Sequence, residues 1–228
     1  MKLMESKPTI ALSEGLTIGY RGRKLSRSKE TRLATAKKNI RLGAGRHLLL
    51  ARNGRGKTTL LKTIAQIIPA IDGQAECIGG VQFVDEDLRF DSELKPSQLF
   101  KALVNREQRQ FAEEMAERIE LNLEKPCGQL SKGNRQKASL IVAEASAYKN
   151  GPQILLLDEP FSGLDFAARE RLNAVWRENQ DHIIRLICIH PDEPTLEADS
   201  ALIICDGEIK QVAVDGVLDW RKTRRTLN

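Results

Sequence analysis

No stretch of the 228 residues stays apolar for the about 18 positions a membrane-spanning helix needs. The longest apolar runs, such as Ile154 to Leu157, are the length of a strand. The N-terminal segment holds no apolar core of signal-peptide length, so no secretion signal is expected. Cys77, Cys127, Cys188 and Cys205 form no CxxC pair, and His47, His182 and His190 show no ligand spacing. The cysteines are therefore read as small buried hydrophobes of a reducing compartment in preference to a metal or disulfide role. No internal repeat is visible.

What remains is an ordinary globular composition, 41% hydrophobic and 29% charged, long enough to bury a core as one domain. The charge is uneven. The net value is +5, yet residues 21 to 41 carry nine bases against one acid, Glu30. That stretch is expected to be a solvated loop, or else to meet an anionic surface such as lipid headgroups or nucleic acid. No aromatic residue interleaves it, which disfavours stacking on single strands. Arg221, Lys222, Arg224 and Arg225 form a second basic cluster.

Strand-like and helix-like segments alternate. His47 to Leu50, Val81 to Val84, Ile154 to Leu157, Ile183 to Ile189 and Ala201 to Cys205 read as strands. Lys57 to Ile67, Ser97 to Asn105, Glu107 to Glu120, Gln136 to Ala147 and Phe166 to Glu178 read as helices. Asp206-Gly207 predicts a hairpin into Glu208 to Val214. The alternation implies an α/β fold with a mostly parallel sheet.

Chemistry begins at Ala51-Arg52-Asn53-Gly54-Arg55-Gly56-Lys57-Thr58-Thr59, which follows a strand and opens a helix. Such a loop points backbone N–H groups at phosphates, with Lys57 neutralising them and the Thr58 hydroxyl ligating Mg²⁺. Ala51 stands where the pattern has its first glycine; a left-handed backbone there would cost on the order of 1 kcal/mol. Arg52 and Arg55 add charge to the loop. Asp158 and Glu159 follow the apolar run Leu155 to Leu157, with Asp158 101 residues after Lys57. An acidic pair at the end of a buried strand is costly unless it meets a cation, so Asp158 is expected to hold magnesium and Glu159 to polarise water.

Three further segments make the chain resemble the ATP-binding cassette (ABC) ATPases. Leu130-Ser131-Lys132-Gly133-Asn134 resembles the family's LSGGQ signature, and Ser162-Gly163-Leu164-Asp165 its D-loop. His190, 31 residues after Glu159, is similar in position to the switch histidine. Tyr20 stands where the family places an aromatic that stacks on adenine. The resemblance covers residues 16 to about 214.

It implies a P-loop NTPase with a mixed, mostly parallel sheet core, an N-terminal antiparallel β lobe and a small helical lobe at about 87 to 150, all one domain. It implies binding of ATP and Mg²⁺, with Lys57, Glu159 and His190 catalytic. It implies a homodimer or heterodimer of cassettes, in which Ser131 and Gly133 cap the γ-phosphate held by the other copy. The Q-loop glutamine of the family falls on Glu86, or on Gln82 inside the strand; Glu86 is the expected magnesium-contacting position.

Lys132 departs from the signature and adds charge near the incoming phosphate. The implied function is an ATPase subunit, cytoplasmic and peripheral at the inner membrane face, that energises transport through permease subunits on separate chains. The alternative is a soluble ABC ATPase acting on a protein assembly or nucleic acid.

Overall fold

The computed structural model describes residues 7–22, 30–148, 153–179, 182–189, 196–214 and 217–218. The chain opens with β1 (Thr9–Leu12), β2 (Thr17–Tyr20), β3 (Thr31–Ala36), β4 (Ile40–Leu42) and β5 (Gly45–Ala51), then α1 (Lys57–Ile64). β6 (Ala75–Ile78) and β7 (Gly80–Val84) follow. Three helices come next, α2 (Pro96–Leu103), α3 (Arg109–Arg118) and α4 (Lys132–Ala147). β8 (Gln153–Asp158), α5 (Phe166–Glu178) and β9 (Ile183–Cys188) lead to β10 (Leu196–Glu197), β11 (Ser200–Cys205), β12 (Glu208–Ala213) and β13 (Val217–Leu218).

Eight strands form one mixed sheet in the order β2-β3-β12-β11-β5-β9-β8-β7. From β11 to β7 every neighbouring pair is parallel. β1 pairs antiparallel with β4 and β6 in a separate three-stranded sheet, and β10 pairs with β13. β11 and β12 form the expected hairpin, and Asp206 and Gly207 at its tip both adopt left-handed φ, 49° and 72°.

Strand alternation divides the core into two faces. Leu48, Leu50, Leu155, Leu157 and Ile187 pack with Phe100, Met115, Leu140 and Trp176 from α2 to α5. Leu49, Ala51, Leu156, Leu186 and Cys188 pack with Leu60 and Leu61 of α1 and with Ile10 and Leu12 of β1. Both faces of β8 are thus buried, which is why its sequence is a continuous apolar run. Each leucine so buried contributes roughly 1.5–3 kcal/mol.

The structure corrects three boundaries. The basic stretch 21 to 41 is not one loop: it contains β3 and the start of β4. Residues 23–29 of that stretch lie outside the described residues, as does the basic cluster from Arg221. α1 stops at Ile64 because Gln66 turns left-handed at φ 58°. α4 begins at Lys132 rather than Gln136, because Ser131 caps it: the Ser131 Oγ accepts from the Asn134 N–H at 3.2 Å.

Candidate functional site

The phosphate loop hangs between β5 and α1. Ala51 is the last residue of β5, fully buried and paired with Ile204 of β11. It is extended and not among the left-handed residues, so the conformational cost attached to its missing glycine does not arise. Arg52, Asn53, Gly54 and Arg55 are exposed. Gly56 caps α1 at φ 101°, and a Cβ there would lie 3.0 Å from Ile18 and 3.2 Å from Leu33. Lys57 is buried, with Nζ donating to the Ala51 carbonyl at 3.2 Å and to the Asn53 Oδ1 at 3.3 Å. Both acceptors are neutral, so a phosphate is the stronger partner for this ammonium.

Thr58 is exposed on the first turn of α1. Thr59 is buried, and its hydroxyl lies 3.0 Å from that of Tyr20 at the end of β2. Tyr20 is 57% exposed beside α1.

The acidic pair comes to the same place. Leu49 of β5 pairs with Cys188 of β9, and Cys188 with Asp158 of β8. β5, β9 and β8 are parallel, so their carboxyl ends line one edge, the edge where open α/β sheets bind ligands. Two strand spacings, about 10 Å, separate the end of β5 from that of β8. Burial pushes the Cys188 thiol up; the Asp158 carboxylate adds to the rise and the Lys57 ammonium opposes it. Both charges therefore act on one side chain.

Glu159 begins the next turn with φ 47°, a left-handed conformation uncommon for a side-chain-bearing residue. Its N–H donates to the Cys188 carbonyl at 3.1 Å, and its carbonyl accepts from the Ser162 N–H at 3.0 Å. With Phe161, Ser162, Gly163, Arg169, Cys188 and Ile189 it lines a cavity of about 250 Å³. His190 lies outside the described residues; Ile189 just before it is buried.

The signature segment abuts this turn. A Cβ on Gly133 would come within 2.2 Å of the Gly163 carbonyl oxygen, so a residue without one is required for the approach. Ser131 is exposed. Asp165 caps α5 through the Ala168 N–H at 2.7 Å, and that bond holds its carboxyl below the usual range. Glu86 does not stand alone. Its Oε1 accepts from the Lys132 Nζ at 2.8 Å and from the Ser162 hydroxyl at 3.0 Å. The bond from Lys132 lowers the Glu86 pKa, against partial burial and with help from Ser162. Gln82 lies within β7, opposite Leu155.

Among the described residues no group of three or more His, Cys, Asp or Glu side chains could hold a metal unaided. The Thr58 hydroxyl and Asp158 carboxylate are hard oxygen donors at one edge. They suit magnesium, which takes one or two protein ligands and fills its octahedron with phosphate oxygens and water. No helix among the described residues is long and apolar enough to cross a membrane.

A mixed sheet with a glycine-bearing phosphate loop and an acidic strand end defines a P-loop nucleotide-binding domain. The sequence model of the family described as ABC transporter matches residues 37–162, more than half of the chain. The chain belongs to that family. It is 32% identical over 215 residues to the sulfate/thiosulfate import ATP-binding protein of Methylococcus capsulatus, covering 81% of this chain and 60% of that protein. It is 32% identical over 174 residues to an aliphatic sulfonates import ATP-binding protein of Pseudomonas fluorescens, covering 72% of this chain and 64% of that protein. The chain thus spans less than two thirds of the length of these relatives. A bacterial Atm1-family ABC exporter solved with ATP bound shares the fold, with a TM-score of 0.72 at 16% identity over 98% of this chain and 41% of that one.

Proposed function

We propose that the chain binds and hydrolyses ATP as the energising subunit of an ABC transporter, whose membrane-crossing subunits are separate chains. The observation that supports this reading is the shared carboxyl edge of β5, β9 and β8: the loop leading to Lys57 and Thr58 leaves β5 at the edge where Asp158 ends β8 and Glu159 follows it. Lys57 and the N–H groups at the start of α1 hold the phosphates. Tyr20 offers its exposed ring to the base. Thr58 and Asp158 hold magnesium, and Glu86 stands at the next loop. Magnesium, when bound, neutralises phosphate charge. Glu159 orients and deprotonates water, with His190 completing the site.

Ser131 and Gly133, in the first turn of α4, serve the nucleotide held by a second cassette. Occupancy then joins two cassettes and hydrolysis separates them. In the transporter this happens peripherally, at the cytoplasmic face of the membrane.

The test is direct. The chain should release phosphate from magnesium ATP, and Glu159→Gln should stop release and accumulate an ATP-bound dimer on size exclusion. Release at the parent rate in Glu159→Gln overturns the assignment of the base. For the transport role, tagged chain from detergent-solubilised membranes should carry a multi-span protein; recovery of soluble partners alone overturns it.

The basic stretch bears on the alternative reading, in which the chain acts on a protein assembly or nucleic acid. Arg32 is engaged by Glu30 at 2.8 Å and Asp72 at 2.7 Å. Arg21 donates to the Ala70 and Ile71 carbonyls. Arg21, Arg32, Lys37, Lys38 and Arg41 are all exposed, and the other four bases of the stretch lie outside the described residues.

A further inference from the structure

Glu86 joins three segments that are far apart in the chain. It follows β7, its partner Lys132 opens α4, and its partner Ser162 sits in the turn between β8 and α5. That turn starts at Glu159. Ser162 reaches back to it, N–H to carbonyl, at 3.0 Å. The turn is held at one end by the Glu159 N–H on the Cys188 carbonyl. Along its length it is held by the Ser162 hydroxyl on Glu86. Between these two anchors Glu159 keeps its left-handed φ of 47°, a conformation that persists only where the surroundings over-determine it.

The ion pair itself contributes little to stability. Lys132 is 48% and Glu86 33% exposed, and pairs so open to water are worth little. Its value is geometric. The loop after β7, the start of α4 and the turn bearing Glu159 meet at one carboxylate oxygen.

We infer that Glu86 is a positioning residue for Glu159, acting through Ser162, and that Lys132 holds Glu86 in place. The inference rests on the reading of Glu159 as the base. It gives Glu86 a task apart from contact with the nucleotide. It also ties α4, which carries Ser131, to the base of the same chain, so a displacement of α4's first turn is felt at Glu159.

The test is a mutant cycle on the full chain, reading the ATPase kcat and, separately, the ATP dissociation constant by equilibrium dialysis. Glu86→Ala and Ser162→Ala should each lower kcat, by up to roughly a hundred-fold, the scale of a reacting group misplaced by about 1 Å. ATP affinity, read without magnesium so that a magnesium contact of Glu86 does not enter, should be unchanged. The double variant should be no slower than Glu86→Ala, because both act on one contact. Lys132→Gln should lower kcat in the same direction, and Lys132→Arg should restore it.

Three results would overturn the inference: kcat unchanged in Glu86→Ala, multiplied losses in the double variant, or weakened ATP binding that accounts for the loss. Failure of the underlying reading looks different. It appears as a parent without ATPase activity, or as Glu159→Gln hydrolysing ATP like the parent.

Discussion

Arg185 of β9 and Glu144 of α4 face each other in a two-point ion pair, 2.9 Å and 2.7 Å, with exposures of 0% and 2%. The guanidinium also donates to the Asn179 carbonyl at 2.7 Å and lies 5.9 Å from the Trp176 ring centroid. Nothing here requires a charge for chemistry. The pair fastens α4, the helix that Ser131 caps, to β9.

Removing one partner leaves the other charge buried and unmatched, which costs about 3–5 kcal/mol. Glu144→Ala should therefore lower the unfolding free energy by that amount in urea titrations. Replacing both, as in Glu144→Leu with Arg185→Met, should recover most of the loss, because a packed apolar pair carries no desolvation penalty. If the double variant is as unstable as the single one, the pair has a role beyond its own neutralisation.

Ala51→Gly restores the residue the phosphate-loop pattern calls for, and it should bring no benefit. Ala51 is an extended, fully buried strand residue. Glycine there adds unfolded-chain entropy and a small void, a cost of about 0.5–1 kcal/mol. Nucleotide affinity should stay at the parent value, by equilibrium dialysis. A gain in affinity would mean that the loop needs a conformation at 51 that β5 does not give it.

The phosphate loop was readable because glycines and a lysine stand at fixed offsets after an apolar run. The apolar run at 154–157 gave the central strand for the same reason of local pattern. β3 was hidden because its inward residues are Ala34 and Ala36, too small to signal an alternation beneath the surrounding bases. Arg185 was readable only as a strand residue; its partner lies 41 positions earlier in a helix and carries no local mark. Lys132 stood out as a departure from the signature, yet its bond to Glu86 spans 46 positions and Ser162's spans 76. Contacts of that reach are set by packing, which no short motif encodes. The same holds for the left-handed turn at Glu159.

His47 gives the fold an acid sensitivity of its own. It is buried in β5, with Nδ1 2.9 Å from the Ser200 hydroxyl and Nε2 2.8 Å from the Gly43 carbonyl. Burial lowers its pKa, and the Gly43 carbonyl and Asp199 only partly oppose this. The unfolded chain, with an ordinary histidine near 6.5, takes up the proton first. Stability is thus full above about pH 6.5 and is lost as pH falls through the lower folded value. Urea midpoints at pH 7.5 and 5.5 should differ in the parent, and His47→Gln should shrink the difference. An equal pH difference in His47→Gln would place the proton elsewhere.

Under the proposed function, stability and activity can be varied apart at Glu159. Its side chain is held on a left-handed backbone, which costs roughly 1–2 kcal/mol for a residue with a Cβ and almost nothing for glycine. Glu159→Gly relieves that strain, and the added freedom of the unfolded chain offsets part of the gain. Relief of strain should offset the loss of the side chain's own contacts, so the variant should melt within a few degrees of the parent, while phosphate release falls to background. Glu159→Gln keeps the strain and should melt at the parent temperature with the same loss of release. A substitution that abolishes activity without lowering stability is what a residue kept for its chemistry predicts. If Glu159→Gly instead unfolds at a clearly lower temperature, the side chain holds the turn together, and the strain at φ 47° serves the fold rather than the reaction.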